Sequence, residues 1–356
     1  MDPVTHTLAG AALARTRLGR LGGLPARLAG AVLIAGANLP DVDVAAYFVN
    51  GDFALEHRRG WTHGLLAMVV LPPLLAGLAL AWDRGRRRRR RSPAGGAGPP
   101  ARFRPLLVLA AVAAWSHPLL DWLNTYGVRF LAPFDWTWFY GDAVFIVDPW
   151  LWLVLGGAVL LGRWVAPARA AAAGLAVAAL YAGALVASSA AGRVLVVDAL
   201  ERGEGRSVFD LMAGPEALDP FHRQVVAETP DGYRVGRLSW LEQPRVEMEA
   251  TPAPKITPWR EPPPAVRAAL AAPDVRGFVT WMRFPTFEVE QTADGYTVHL
   301  IDLRYARRPD SGFGTAKVEL PADLEPALRP GASGAGSTRV GSGRPPPPAR
   351  GERDRG

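Results

Sequence analysis

The chain contains no cysteine. Disulfides and thiolate-bound metals are therefore excluded, and any metal site must be built from His, Asp or Glu. Several enzyme signatures are missing too. No P-loop or dinucleotide glycine pattern sits at a strand–helix turn. Ser116 precedes His117 but belongs to no G-x-S-x-G elbow. The N-terminus does not read as a signal peptide, because its first basic residues, Arg15, Arg17 and Arg20, follow the apolar stretch instead of preceding it.

The chain is rich in apolar residues, concentrated in the first 190 positions, and has 12 Trp, many near the ends of apolar segments. Tryptophan collects at membrane–water interfaces in this way. The length of 356 residues allows roughly two to three domains. Residues 3–20 and 27–38 read as short helices, each too short to cross ~30 Å of hydrocarbon alone. Full spans are expected over 63–82, 105–123, 143–162 and 168–190, with an aromatic interfacial segment at 134–140 and a flexible basic loop over 84–104. The predicted fold is a mainly α integral membrane bundle over 1–190, a small mostly-β domain over 191–325 and a disordered Pro/Gly/Arg-rich tail over 326–356. Two Asp-Gly turns between alternating apolar residues, Asp231-Gly232 and Asp294-Gly295, predict hairpins over Val225–Trp240 and Phe287–Tyr305.

Much of the net charge of +7 comes from the arginine run Arg86–Arg91. Between two apolar segments, such a run reads as a cytoplasmic loop obeying the positive-inside rule, not as a nucleic-acid contact. Arg163 and Arg169 then also fall on the cytoplasmic side. The β domain is expected outside, and His6, Asp41, His63, His117 and Asp121 near the external membrane face.

Those five residues, with Asp43 beside Asp41, are the most informative feature of the chain. Ionisable groups are costly in a bilayer, so each is a functional candidate by default. Imidazoles and carboxylates together suit a hard or borderline divalent ion such as zinc. His117 and Asp121 form H-x-x-x-D and share one helix face. Taken alone, the pair fits a structural role as well as a metal. Asp41 and Asp43 follow a short helix, where they are either metal-facing or turn caps; one can bridge an ion while the other sits behind it. His63 opens an apolar helix that Thr62 is placed to cap, and Arg58 or Arg59 can hold a phosphate or a developing anion. His57 reads as either a ligand or a loop residue. His6 by itself reads as a helix-end residue, with Asp2 or Thr5 as the cap. Asp142 and Asp148 are weaker ligand candidates.

Taken together, these segments resemble the YdjM-like family of membrane-bound metal-dependent hydrolases, of the LexA-regulated inner-membrane type. The resemblance rests on MDPVTHTLAG at the start, LPDVD at 39–43, HRRGWTHG at 57–64, SHPLLDWLNTYG at 116–127 and FIVDP at 145–149. That family is distantly similar to zinc-dependent phospholipase C, whose helical members bind zinc through His and Asp and cleave phosphoesters. The likeness implies His6, Asp41, His63, His117 and Asp121 as ligands. A second H-x-x-x-D is missing, since Val144 stands four residues before Asp148, which implies one or two ions instead of three. The β domain has no part in the resemblance.

Two main readings follow. In the first, the chain is a metal-dependent hydrolase acting on a lipid or lipid-linked phosphoester, with Asp41 or Asp43 orienting a water and Arg58 or Arg59 stabilising an anion. In the second, it is a non-enzymatic membrane protein whose exported β domain binds an envelope partner. A metal-ion transporter would need ligands near mid-bilayer, where these residues are not expected.

Overall fold

The computed structural model describes residues 1–89, 100–250, 253–256 and 262–324. The expected tail and much of the basic loop lie outside the described residues.

The first helix, α1 (Pro3–Arg15), starts where the Asp2 carboxylate accepts the N–H groups of Val4 and Thr5, with Pro3 at the first position. It runs against α2 (Ala26–Asn38), and the approach is close: a Cβ on Gly10 would lie 2.8 Å from the Leu33 carbonyl oxygen. A 3-10 stretch, Leu39–Phe48, continues α2, and α3 (Gly51–His57) follows. Next come α4 (Leu65–Arg89) and α5 (Phe103–Trp122). Leu33, Leu106, Leu109 and Ala110 form the core where α2, α4 and α5 meet. The last two bundle helices are α6 (Pro149–Leu161) and α7 (Pro167–Asp198).

Among the described residues, four helical segments are long and apolar enough to cross a membrane: Ala26–Phe48, Leu65–Arg89, Phe103–Trp122 and Pro167–Gly203. One member differs from the sequence expectation. The stretch 143–162 yields only the 13-residue α6, about 20 Å long, because Asp148 caps it at Leu151 and so fixes its start late. In its place, α2 gains length from the 3-10 stretch after it. The helix α4 also extends beyond Trp82 into the arginines, where Arg87 pairs with Asp83 one turn back at 2.7 Å. The outward faces of α4 and α7 expose Val69, Leu78, Leu180 and Val194. A surface of that kind suits lipid, since lipid tails are as apolar as Leu.

After α7 the chain builds two antiparallel sheets. The first is β1 (Asp210–Glu216), β2 (Asp219–Thr229), β3 (Gly232–Ser239) and β4 (Arg245–Met248), in that order. Two short helices follow, α8 (Pro264–Ala271) and α9 (Arg276–Trp281). The second sheet is β5 (Pro285–Thr292), β6 (Gly295–Asp302) and β7 (Thr315–Pro321). Both expected hairpins form. Thr229 pairs with Gly232 and Thr292 with Gly295, which leaves two-residue turns. At Gly295, φ is 154° and a Cβ would lie 2.0 Å from the Leu320 carbonyl oxygen, so only glycine fits.

The sheets and α9 dock on the bundle's polar end. The Asp52 carboxylate accepts the N–H groups of Gly277 and Phe278 at 2.9 and 2.8 Å. Arg304 donates to the Thr125 carbonyl at 2.9 Å, and Arg283 pairs with Asp142 at 2.8 Å. The aromatic segment expected at the interface partly turns inward, where Trp136 and Trp138 stack on the buried Arg129.

Candidate metal centre

Four separate pieces of chain bring the candidate residues together. His6 comes from α1, Asp41 and Asp43 from the 3-10 stretch, Arg58, Arg59 and His63 from the segment between α3 and α4, and His117 with Asp121 from the last turns of α5. His6, His63, His117 and Asp121 are fully buried. One ligand atom each from Asp41, His63, His117 and Asp121 lies within 4.8 Å of the others, close enough to share a metal ion.

The imidazole orientations follow from their partners. His117 Nδ1 is 2.6 Å from the Ala37 carbonyl oxygen. A carbonyl only accepts, so Nδ1 carries the proton and Nε2 presents its lone pair. His63 Nδ1 is 2.8 Å from Thr62 Oγ1, whose own proton goes to Asp43 Oδ2 at 2.7 Å. His63 Nδ1 must therefore donate as well, which leaves Nε2 as an acceptor. Thr62 thus links Asp43 to His63 instead of capping α4.

Both Nε2 lone pairs point to one place. The two nitrogens are 3.1 Å apart, and Asp121 Oδ2 is 3.2 Å from His63 Nε2 and 3.4 Å from His117 Nε2. Asp41 Oδ1 completes the group, 3.7 Å from His117 Nε2. Acceptors facing one another in a buried space repel unless a cation sits among them. The donor set fits a divalent ion with N and O ligands. The contacts behind it, Ala37 O and Thr62–Asp43, are the kind that fix metal-bound histidines.

The remaining candidates fall around this core. His6 stacks on His117 with ring centres 3.7 Å apart, and its Nε2 is 3.2 Å from Asp121 Oδ1. It stands beside the four converging ligand atoms. The same oxygen of Asp121 receives Arg59 Nη2 at 3.1 Å and the amino group of Met1. Arg58 lies at the rim, donating to Asp43 at 3.2 Å and to Asp41 at 3.4 Å. Burial by itself would lower the Arg58 pKa, but Tyr126 and Asp43 hold it above its ordinary value. Burial moves Arg59 the other way, below its ordinary value. Arg59 also has a φ of 54°, a left-handed conformation that costs a non-glycine residue about 1–3 kcal/mol. Its N–H donates to Asp43 at 2.9 Å, which compensates in part.

Three sequence candidates lie elsewhere. His57 stacks on Phe53 and contacts the Phe53 carbonyl at 3.0 Å, closing α3. Asp148 caps α6 and accepts from Tyr181 at 3.1 Å. Asp142 pairs with Arg193 and Arg283. The sequence reading gave no role to Asn124 or Tyr126, both buried against Arg59. Polar residues just past the end of an apolar segment, in Asn124-Thr125-Tyr126-Gly127, were the available signal.

Comparison with known proteins places this geometry in a lineage. The uncharacterized protein YfhP of Bacillus subtilis (strain 168) is 25% identical over 157 residues, 43% of this chain and 43% of that protein. The chain therefore matches less than half the length of that relative. No solved structure is significantly similar. The profile of the YdjM inner membrane protein family matches residues 1–192. That match takes in every residue of the buried cluster and more than half of the sequence, so the chain belongs to the YdjM inner membrane protein family.

Proposed function

We propose that this membrane protein is a metal-dependent hydrolase acting on a lipid or lipid-linked phosphoester at the outer face of the inner membrane. The observation that carries the reading is the pair of His63 and His117 Nε2 atoms, 3.1 Å apart, both with their protons committed elsewhere. Asp41, His63, His117 and Asp121 would hold one or two divalent ions, zinc being the best match to the donor types. When bound, such an ion supplies a Lewis acid and a water of lowered pKa.

The chain's own groups define the rest. Asp43 orients His63 through Thr62. Asp41, at the accessible edge, is placed to orient a water. Arg58 and Arg59 present guanidinium groups to an anionic oxygen. The rim also supports a lipid substrate, because Val42, Val44 and Phe48 are exposed beside Asp41 and Asp43. For orientation, the cluster sits at the His63 end of α4 and the arginines at the other end of its 25 residues, about 38 Å away. A cytoplasmic arginine end puts the cluster outside.

Elemental analysis of detergent-purified protein tests the reading, with wild type beside a His63→Ala, His117→Ala double variant. One or two equivalents of zinc in the wild type, absent from a folded variant, is the expected result. No stoichiometric metal after chelator-free purification would sink the hydrolase reading. Asp41→Asn adds a second check: phosphoester turnover should vanish while membrane level and fold stay unchanged.

A further inference from the structure

Beyond α5 the chain turns through Leu123–Gly127 and passes over Arg59. Asn124 is fully buried there. Its Oδ1 accepts the Tyr126 N–H at 2.8 Å and Arg59 Nη1 at 3.3 Å. Two donors on one atom identify it as the amide oxygen. The amide nitrogen Nδ2 therefore points away from both, and it has no hydrogen-bond partner.

Tyr126 repeats the pattern. Its side chain is 95% buried and its hydroxyl has no partner. The Arg59 guanidinium lies 4.4 Å from its ring centre. The hydroxyl is within electrostatic reach of Arg58, Arg59 and Asp43. Burial pushes its pKa up to about 12, so at neutral pH it is an O–H donor. Arg59 Nε is a third buried donor without a partner in the same contact shell. Leaving such groups unsatisfied costs about 1–3 kcal/mol each, and buried polar groups are ordinarily paired. Unpaired donors gathered around two guanidinium groups, next to a cluster of metal-ligand type, mark a place for an anion.

We infer that Asn124 and Tyr126, with Arg58 and Arg59, grip the phosphoryl oxygens of the substrate. The inference rests on the hydrolase reading and extends it by naming the substrate-binding donors. The amide N–H and the phenol O–H each donate to a non-bridging oxygen, and the arginines supply charge. Several donors around one centre suit a tetrahedral phosphoryl group better than a planar carboxylate.

The C-terminal domain holds these side chains in place. Trp281 packs on the Tyr126 ring at 5.0 Å and stacks on Tyr305 at 5.2 Å. Thr125 donates to the Tyr305 hydroxyl at 3.2 Å, while Arg304 donates to the Thr125 carbonyl. Trp281 is thus a positioning residue, acting on the substrate only through Tyr126.

The test is calorimetric titration of inorganic phosphate into full-length, detergent-solubilised, zinc-loaded protein, with acetate as a second titrant. Tyr126→Phe removes one hydroxyl. Asn124→Asp keeps the oxygen that Arg59 and Tyr126 use but replaces the N–H donor. Each variant should bind phosphate about tenfold or more weakly, the loss of one charge-assisted hydrogen bond, with metal content unchanged. Trp281→Leu should weaken phosphate binding less than Tyr126→Phe. Wild-type phosphate affinity in both Tyr126→Phe and Asn124→Asp overturns the inference and leaves the hydrolase reading standing. Equal binding of acetate and phosphate overturns the phosphoryl assignment. Metal loss in Tyr126→Phe makes the residue part of the metal scaffold and also overturns it. Failure of the hydrolase reading itself shows separately, as absence of stoichiometric metal in the wild type.

Discussion

The bundle and the C-terminal domain both bury charge, but they treat it differently. In the C-terminal domain Asp302 is saturated: Arg304 holds it at 2.6 Å, and it also accepts the backbone N–H groups of Arg283 and Arg304. Arg304 spends its remaining donors on the carbonyls of Thr125 and Trp281. Burial alone would lower its pKa, yet Asp302 and Tyr305 raise it above the ordinary value. In the bundle, by contrast, two imidazole acceptors face each other and donors on Asn124 and Tyr126 stay empty. A saturated pair serves the fold. A cluster of like-facing lone pairs lacks a partner that only a ligand can supply.

Substitutions can break this contrast. The largest expected effect is on metal and turnover: His63→Ala with His117→Ala should remove all bound metal and activity, measured by elemental analysis, while the C-terminal domain keeps its near-UV circular dichroism. The next is on stability. Asp302→Ala strands the buried Arg304 and should destabilise the protein by about 3–5 kcal/mol, read by denaturant unfolding. Loss of metal as the primary effect, in a variant of unchanged stability, would erase the distinction between the two regions. Asp43→Asn acts one step behind a ligand, so zinc affinity should fall about 10- to 100-fold in a competition titration. The smallest effect belongs to His57→Ala. It touches only its own helix end, and both metal content and melting temperature should stay near wild type, within about 0.5 kcal/mol of stability.

Much of the architecture was legible in the sequence. The apolar segments, the Asp-Gly hairpins and the basic run each carry a local signal with a physical cause. The span expected over 143–162 was misplaced because hydropathy does not see a cap. Asp148 starts α6 late, while a 3-10 stretch after Asn38 lengthens α2. His63, His117, Asp41 and Asp121 were readable as a set because ionisable residues are rare in apolar segments. The division of labour among them was not. Asp43 and Thr62 work behind His63, and Asp142, Asp148 and His57 are committed to pairs and caps, all through partners distant in sequence or set by local geometry. Asn124 and Tyr126 stand within the SHPLLDWLNTYG motif, but nothing in the sequence gave them a role, because it does not show that both pack on Arg59.

The sequence alone determined the chemistry available: a membrane protein without thiols, whose ionisable residues within the membrane segments are of the type that binds metals. The tertiary structure alone decided which of them meet. The tautomer of His117 is fixed by the distant Ala37 carbonyl and that of His63 by its neighbour Thr62, itself held by the distant Asp43, and those contacts exist only once the bundle has packed.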